Sequence, residues 1–324
     1  MSPGRDCRFC GSKLSASFAD LGMTPLSNAY LKPEQLHQME RFYPLHAWVC
    51  GKCFLVQLES FESPEAIFSD YAYFSSYSDA WLEHARAYVE MMSGRFAIDR
   101  AHFVMELASN DGYLLQYFVE RGVPVLGVEP AANVAAVAER KGVPSLVKFF
   151  GTQTARELAG AGKRPTLLIG NNVLAHVPEL NDFVEGMRIV LAPAGIITME
   201  FPHLLRLIEQ NQFDTIYHEH FSYFSFLVAD AVFAAHGLTV FDVEEVPTHG
   251  GSLRIFATHA ENTTHTAGPA VKALLDEERA AGLDGLEVRL GEVGPDDRLQ
   301  RLLRRGGGGD PLHRGHGFGA GAVG

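Results

Sequence analysis

Residues 102–129 read HFVMELASNDGYLLQYFVERGVPVLGVE, and this stretch decides the fold of the chain. Its pattern predicts a buried strand over 102–107, a helix over 112–121 and a second strand over 123–128. The turn between the first strand and the helix consists of small and polar residues, and the second strand ends in Glu129. This order of strand, tight turn, helix and strand is typical of a nucleotide-binding α/β sheet.

The same alternation continues along the chain and indicates the fold class. Further elements are predicted over residues 131–141 (helix), 166–170 (strand), 180–191 (helix) and 195–201 (strand). Repeated βα units produce a parallel sheet with helices on both faces. Two strands over 238–246 and 252–258, separated by P-T-H-G-G, then form a hairpin-like end. The predicted fold is α/β, a Rossmann-like sheet closed by a hairpin, which suits methyltransferases better than dehydrogenases.

The turn after the first strand is the predicted ligand site, because doubly wound sheets bind nucleotides there. Its candidate ligand-binding residues are Glu106, Ala108, Ser109, Asn110 and Gly112. The turn lacks the G-x-G-x-x-G pattern that grips a pyrophosphate. Glu129, seventeen residues after Gly112, is positioned to accept hydrogen bonds from ribose 2′- and 3′-hydroxyls. An adenosine-like ligand without pyrophosphate indicates S-adenosylmethionine. The alternative interpretation is that the turn is purely structural and that Glu129 is an ordinary surface residue.

A second pair of polar residues follows the strand predicted over 166–170. Asn171 and Asn172 come directly after its last residue. The carboxyl ends of parallel strands meet at one edge of the sheet. We therefore expect both asparagines to lie where the methionine part of the cofactor meets the acceptor.

Four cysteines form two pairs, Cys7 with Cys10 and Cys50 with Cys53, each spaced C-x-x-C. Two such pairs are typical of a structural zinc site, in which four thiolates surround Zn²⁺ at about 2.3 Å. The 39 residues between the pairs predict a small subdomain, and residues 43–58 resemble two short strands joined by the second pair. Redox-active pairs are the alternative. Too little chain precedes Cys7 to form the strand that comes before a thioredoxin-type motif.

Composition and charge disfavour several classes of protein. The chain has 324 residues, 47% hydrophobic and 20% charged, so it can form a globular core. Its 27 basic and 39 acidic residues give a net charge of −12, which disfavours nucleic-acid binding. No stretch approaches the roughly 18–20 apolar residues of a membrane span, and no apolar signal core follows the N-terminus. We expect a cytoplasmic protein without a membrane partner; the sequence does not define its oligomeric state.

The stretch YHEHFSYF over residues 217–224 concentrates histidine, tyrosine and glutamate. A general base beside a carboxylate that orients it fits this composition. The spacing H-x-H also occurs in metal sites. A third ligand is missing, however, because Glu219 points to the other side of an extended chain. A polar helix start with hydrogen-bonded histidines is the structural alternative.

Seven motifs occur in a fixed order over residues 5–290. They are C-x-x-C-G, a second C-x-x-C about forty residues on, Y-A-Y-F-S-S-Y-S, E-L-A-S-N-D-G-Y-L-L-Q, N-V-L-A-H-V, Y-H-E-H-F-S-Y and H-G-G-S-L-R. This order resembles the zinc-containing, S-adenosylmethionine-dependent C-methyltransferases that act on nucleotide-linked (dTDP) 4-keto-deoxysugars. The resemblance implies methylation of a carbon next to the ketone, through an enolate.

The resemblance also implies roles for individual residues. His220 is expected to be the base that removes the proton next to the ketone, and Glu219 to orient it or hold the sugar. The acceptor pocket is expected to be lined by Tyr217, His176 and Tyr71, catalytic residues that could also polarise the ketone. Contacts to the nucleotide sugar are expected from Tyr73, Gly251, Ser252 and Arg254, with Arg254 at the diphosphate.

The expected domain organisation follows the same motifs. It comprises a zinc-binding module (1–60), a helical and aromatic connecting segment that contributes to the acceptor pocket (61–100), a Rossmann-like methyltransferase domain (101–260), the start of a C-terminal region (261–303) and a disordered Gly-rich tail (304–324). Members of the family continue for roughly another hundred residues with a Y-G-A-x-x-K-G-type segment. The C-terminal lobe is thus expected to be truncated.

Two other functions compete with the sugar C-methyltransferase. The first is an O- or N-methyltransferase of another small metabolite, in which His220 would deprotonate a hydroxyl. The second is an inactive zinc- and nucleotide-binding remnant, which the expected truncation would explain. Cofactor binding and turnover separate the remnant from both enzymes.

Overall fold

The computed structural model of the chain describes residues 5–63 and 73–286. The described strands are β1 (Ala16–Thr24), β2 (Tyr43–Val49), β3 (Val56–Leu58), β4 (Val104–Leu107), β5 (Val125–Val128), β6 (Ser145–Leu146), β7 (Leu167–Asn171), β8 (Ile196–Pro202), β9 (Ser222–Tyr223), β10 (Leu238–Val246) and β11 (Ser252–His259). The described α-helices are α1 (Asp79–Arg95), α2 (Leu115–Glu120), α3 (Ala132–Arg140), α4 (Thr152–Gly160), α5 (Leu180–Val190), α6 (Leu204–Glu209), α7 (Phe226–Ala235) and α8 (Pro269–Ala280). Tyr71 and the Gly-rich tail lie outside the described residues.

Seven strands form the central sheet, in the order β10-β11-β8-β7-β4-β5-β6. Strands β4 to β8 run parallel. Strands β10 and β11 form an antiparallel hairpin, and β11 pairs with β8. The predicted α/β class and the closing hairpin are confirmed. Because the strand order reverses between β4 and β7, the carboxyl ends of these two strands leave a crevice of the kind that binds ligands.

Alternate residues of the central strands face two different layers of helices. Val104 on β4 and Ile169 on β7 pack with residues of α1, α2 and α3. Their neighbours Met105 and Leu168 pack with residues of α4, α5 and α7. Full burial of an apolar side chain of this size stabilises a fold by about 1.5–3 kcal/mol. Apolar side chains on both faces of these strands therefore anchor the sheet between two layers of helices. This packing holds the ligand-binding edge of the sheet in place.

The N-terminal strands form a second, antiparallel sheet in the order β1-β2-β3-β9. Strands β2 and β3 are the two strands predicted around the second cysteine pair. The fourth strand, β9, belongs to the YHEHFSYF stretch: Val56 pairs with Tyr223, and Gln57 pairs with Ser222. The motif with the candidate base is thus built into the edge of the N-terminal sheet.

Side chains at the first cysteine pair join the N-terminal module to the central domain. Arg8 Nη1 donates a hydrogen bond to the Pro178 carbonyl at 2.9 Å, and its guanidinium lies 5.4 Å from the centre of the Phe221 ring. Asn181, at the start of α5, donates to the carbonyl oxygens of Arg8 and Phe9. These contacts fix the module against the ligand-binding edge of the central sheet.

The connecting segment forms helix α1 from Asp79 to Arg95, and this helix has an apolar stripe along one face. The Ser78 hydroxyl caps this helix by accepting a hydrogen bond from the Trp81 amide at 3.2 Å. The stripe buries Ala85, Tyr88 and Met92.

No helix in the described part of the chain is long and apolar enough to cross a membrane.

Candidate active site and metal centre

The four cysteines come together in the N-terminal module. Their Sγ atoms all lie within 4.8 Å of one another, and the distances Cys7–Cys53 and Cys10–Cys50 are both 3.5 Å. Four thiolates at 2.3 Å from a tetrahedral zinc ion are about 3.8 Å apart, so the cluster fits Zn²⁺. Gln57 Nε2 donates to Cys7 Sγ at 3.2 Å, a hydrogen bond that stabilises thiolate charge.

A cavity of about 950 Å³ opens at the carboxyl ends of the central strands. Its cofactor half is defined by Ala108, Asn110, Glu129, Asn171 and Asn172. Its acceptor half is defined by His176, Tyr217, Glu219, His220 and His249. The two predicted groups of residues thus line one continuous space, large enough for a cofactor and an acceptor.

Left-handed residues shape the turn after β4. Ala108 has φ 52°, Asn110 φ 48° and Gly112 φ 74°. The Asn110 side chain accepts a hydrogen bond from the Ser75 amide at 2.9 Å and donates to the Tyr73 carbonyl at 3.1 Å. The turn is therefore fastened to the connecting segment, and Tyr73 and Ser75 both line the cavity. At Gly112 a Cβ would lie 3.1 Å from a side chain on α3, so only glycine allows this close approach.

Glu129 fixes the same turn from the end of β5. One carboxylate oxygen accepts a hydrogen bond from the Asn110 amide at 2.9 Å, and the other accepts from the Ala131 amide at 2.8 Å. Burial raises the pKa of Glu129, and these two amide bonds act in the opposite direction. Each oxygen keeps a second lone pair. Glu129 lines the cavity, and its role as the acceptor for ribose hydroxyls stays a prediction.

Asn171 and Asn172 lie at the end of β7, on the wall of the cofactor half. Asn172 adopts φ 53°, and within the described part of the chain its buried Oδ1 has no hydrogen-bond partner. A buried acceptor without a partner is costly unless a ligand supplies a donor. S-adenosylmethionine carries such donors on its ammonium and adenine groups, so the residues present fit this cofactor.

Three residues predicted to bind the cofactor lie behind the cavity wall. Glu106 and Ser109 are completely buried, and neither they nor Gly112 lines the cavity. Burial raises the pKa of Glu106 well above its ordinary value. Ser109 packs against the backbone of Gly127, where a Cβ would meet the Ser109 hydroxyl. These residues support the turn from behind.

The hairpin residues predicted to meet the sugar nucleotide also lie off the cavity. Arg254 is buried and donates hydrogen bonds to Glu200 at 3.0 Å and to Glu244 at 3.2 Å. Its charge is neutralised by these two carboxylates, so it is not available to a diphosphate, which corrects its expected role. Gly251 and Ser252 do not line the cavity either.

Tyr217 and His220 form a hydrogen-bonded pair in the acceptor half. The Tyr217 hydroxyl lies 2.8 Å from His220 Nε2, and His220 Nδ1 lies 2.9 Å from the Thr215 carbonyl oxygen. A carbonyl can only accept, so Nδ1 carries the proton and Nε2 accepts from Tyr217. Burial lowers the pKa of His220 to about 4, and burial raises the pKa of Tyr217 above its ordinary value. Both groups are neutral at pH 7.

Glu219 does not occupy the orienting position expected for it, because the Thr215 carbonyl holds the His220 ring. The Glu219 carboxylate instead accepts hydrogen bonds from Ser27 Oγ at 3.0 Å and Asn28 Nδ2 at 2.9 Å. Both donors belong to the N-terminal module and line the same cavity. Glu219 therefore fastens the zinc module over the acceptor half; the alternative part of its predicted role, holding a sugar, stays a prediction.

His176 lies beside His220, with their rings nearly perpendicular and 4.7 Å apart. Burial lowers the pKa of His176 well below its ordinary value, and the charge of His220 lowers it further. Two adjacent imidazoles in a desolvated pocket thus both favour the neutral form. His176 and Tyr73 line the cavity as expected.

Several cavity residues were not predicted from the sequence. They are Ser27 and Asn28 of the N-terminal module, Trp81 on α1, Phe149 and Phe150 after β6, and His249 in the β10–β11 turn. Only His249 carried a usable signal, because a histidine before two glycines stands at the sheet edge where ligands bind. Ser27 and Asn28 reach the cavity through tertiary packing, which has no local pattern.

Fold and cavity together define an S-adenosylmethionine-dependent methyltransferase that carries a zinc module. Residues 7–68 match a family described as a zinc binding domain, residues 81–243 a methyltransferase domain and residues 247–290 a C-methyltransferase C-terminal domain. C-methyltransferase NovU from Streptomyces niveus is 36% identical over 281 residues, which cover 87% of this chain and 67% of that protein. The chain belongs to the zinc-containing, S-adenosylmethionine-dependent C-methyltransferases.

Solved structures resemble the chain at low sequence identity. The PH0226 protein from Pyrococcus horikoshii OT3 has a TM-score of 0.47 and 17% identity, covering 62% of this chain and 100% of that chain. Magnesium protoporphyrin IX methyltransferase (ChlM) from Synechocystis PCC 6803 with bound SAH has a TM-score of 0.44 and 13% identity, covering 55% of this chain and 83% of that chain.

Proposed function

We propose that this C-methyltransferase methylates the carbon next to the ketone of a dTDP-linked 4-keto-deoxysugar, through an enolate. The observation that supports the proposal is the neutral Tyr217–His220 pair in the same cavity as the cofactor half. A carbon acceptor has no lone pair, so it becomes a nucleophile only after losing a proton. A ketone makes the neighbouring C–H acidic enough for a base of this kind.

The hydrogen bonds of the pair suggest how the proton leaves the sugar. His220 Nε2 is covered by the Tyr217 hydroxyl at 2.8 Å, so the route from substrate to imidazole passes through the phenol. The Tyr217 oxygen accepts the α proton while it gives its own proton to His220 Nε2. The C–H electron pair becomes the C=C bond of the enolate, and the carbonyl pair moves to oxygen. The resulting imidazolium and enolate have opposite charges, which lowers the cost of forming both in a desolvated pocket.

The cofactor half faces the same space. Bound there, S-adenosylmethionine supplies an electrophilic methyl group on its sulfonium. Glu129 would hold the ribose, and Asn172 Oδ1 would accept from the cofactor. The zinc module closes the acceptor half through Ser27 and Asn28. This closure restricts access of water to the enolate.

Proton exchange tests the proposal apart from methyl transfer. The full chain, with S-adenosylhomocysteine and a panel of dTDP-4-keto-deoxysugars in D₂O, should incorporate deuterium next to the ketone, as followed by NMR. Active sugars should then give a C-methylated product of the expected mass with S-adenosylmethionine. His220→Asn and Tyr217→Phe should each reduce exchange by about 10²–10⁴-fold, which is the usual contribution of a positioned base.

A neighbouring histidine provides the matched control. His218 belongs to the same motif, but its Nε2 lies 3.1 Å from the Pro44 carbonyl, and it does not line the cavity. His218→Asn should keep exchange within a few-fold of the wild type. Exchange that survives in both His220→Asn and Tyr217→Phe would contradict the assigned base. No exchange and no methylation with any keto-sugar would contradict the substrate class.

A further inference from the structure

We propose that His249 is a further catalytic residue, whose imidazole N–H donates a hydrogen bond to the ketone oxygen and stabilises it as the enolate forms. The inference rests on the proposed enolate chemistry. His249 is an exposed residue that lines the same cavity as Tyr217 and His220. Removal of the α proton places negative charge on the carbonyl oxygen, and a donor on the wall opposes that charge.

The backbone of His249 is held in an unfavourable conformation. It has φ 52° and ψ 37°, a left-handed geometry that costs a non-glycine residue energy unless the surroundings enforce it. Eight described residues other than glycine have positive φ, and five of them line the cavity: Asn28, Ala108, Asn110, Asn172 and His249. Such strain clusters at functional sites, and the turn presents the imidazole to the cavity.

The turn that carries His249 is fastened on both sides. The Thr248 hydroxyl donates to the buried Glu200 carboxylate at 3.0 Å. The backbone carbonyl of Thr248 accepts a hydrogen bond from the Ser252 hydroxyl at 2.9 Å. Gln212 Nε2 donates to the Gly250 carbonyl at 2.7 Å. A donor on such a turn needs little reorganisation when charge develops on the substrate, which is how fixed donors contribute most to catalysis.

Packing and charge link His249 to the reacting groups. Its ring stands edge-on to Trp81 with centres 5.2 Å apart, and Trp81 also lines the cavity. All three imidazoles of His249, His220 and His176 line the same cavity, and a positive charge on His249 would lower the pKa of the other two. Desolvation by the surrounding walls lowers the pKa of His249, while the Glu200 carboxylate acts in the opposite direction.

The neutral form suits the proposed role. A neutral imidazole donates from one nitrogen, and it does not oppose the proton that arrives on His220. No covalent step involves His249: the α proton moves to the Tyr217–His220 pair, and the enolate oxygen accepts a hydrogen bond from the His249 ring. The ring therefore acts on the rate of enolate formation more than on substrate binding.

Two substitutions separate catalysis from turn structure. His249→Gly relaxes the left-handed backbone and removes the ring, and His249→Asn tolerates the same backbone and retains an amide donor. In the exchange assay with S-adenosylhomocysteine and saturating dTDP-4-keto-deoxysugar, His249→Gly should lower the maximal rate by about 10²–10³-fold, the usual effect of losing one such donor. His249→Asn should stay within about tenfold of the wild type. Sugar affinity should change less than threefold in both.

The control variant is Asn211→Gly. Asn211 is exposed, has φ 54° and does not line the cavity, so this change should leave exchange unaltered. An unchanged maximal rate in His249→Gly would overturn the proposal. So would a fall in sugar affinity at unchanged rate, which would make His249 a ground-state contact such as a diphosphate ligand. If the wild type itself exchanges no deuterium, the proposed function fails instead.

A measurement on the wild type guards against a variant that fails to fold. In protein labelled with [¹³C]histidine, the ring signal of His249, assigned by its absence in His249→Asn, should shift when the dTDP-4-keto-deoxysugar is added. Reduction of the ketone to an alcohol keeps the oxygen but removes the carbonyl group, so no enolate can form there, and the reduced sugar nucleotide should cause a smaller shift. Equal shifts with both ligands would contradict a contact to the ketone oxygen.

Discussion

Replacing Glu129 by glutamine should weaken cofactor binding, because both oxygens of this carboxylate already accept backbone amides. They accept from Asn110 at 2.9 Å and from Ala131 at 2.8 Å. Glutamine turns one acceptor into a donor, and it removes the charge that strengthens hydrogen bonds from ribose. Loss of one charge-assisted bond costs about 1.5–3 kcal/mol. With tenfold in affinity for each 1.4 kcal/mol, S-adenosylhomocysteine should bind roughly 10- to 150-fold more weakly.

Calorimetric titration of the full chain with S-adenosylhomocysteine measures this change directly. Thermal unfolding without ligand shows whether the turn after β4 still forms, because the glutamine amide also faces a backbone N–H. Glu139→Gln is the matched control: it removes the same charge from an exposed position on α3 and should leave affinity unchanged. If Glu129→Gln folds normally and binds within threefold of the wild type, the ribose is held elsewhere.

Two further predictions concern the metal centre and the pH dependence of stability. Metal analysis of chelator-free protein should give one zinc per chain. The Cys50→Ser variant should lose this zinc. The Lys52→Ser variant, which changes a residue between Cys50 and Cys53 that is not a ligand, should keep it. Burial lowers the pKa of His220 to about 4 in the folded chain, whereas its pKa in the unfolded chain is about 6.5. Between these two pH values the unfolded chain binds more protons than the folded chain. The free energy of unfolding therefore falls as the pH drops through 6.5. In urea unfolding between pH 7.5 and pH 5, His220→Asn should lessen that loss by about 2 kcal/mol. His37→Asn, at an exposed position, should not. A zinc content near zero would contradict the metal-site prediction. An equal loss of unfolding free energy in the wild type and in His220→Asn would contradict the pH prediction.

The sequence predicted the central sheet well because its signals are local. Strands β4, β5, β7 and β8 are short apolar runs between turn residues. Both ends of each strand lie within two residues of the predicted ends. The cysteine pairs were equally clear, since their spacing alone indicates a metal site. The short strand β6 and helix α4 were missed: Ser145–Leu146 is too short to show a period, and the α4 segment has few apolar residues.

The site was predicted less completely because side-chain direction depends on tertiary context. Arg254 stands in a motif that suggests a phosphate ligand, yet its strand places it opposite Glu200, and the ion pair there turns it away from the cavity. Glu219 was expected to orient its neighbour His220, whereas the donors it meets are Ser27 and Asn28, more than 190 positions earlier in the chain. Sequence patterns describe neighbours along the chain and carry little information about such distant partners.

The pairing of β9 with β3 has a consequence for recombining members of this family. Because Tyr223 pairs with Val56 and Ser222 with Gln57, residues 217–224 belong structurally to the N-terminal module, although they lie far along the chain. A chimera that exchanges only the first sixty residues between relatives would join the strand of one parent to the sheet of another and would misplace the Tyr217–His220 pair. The exchangeable unit is discontinuous, so both segments must come from the same parent.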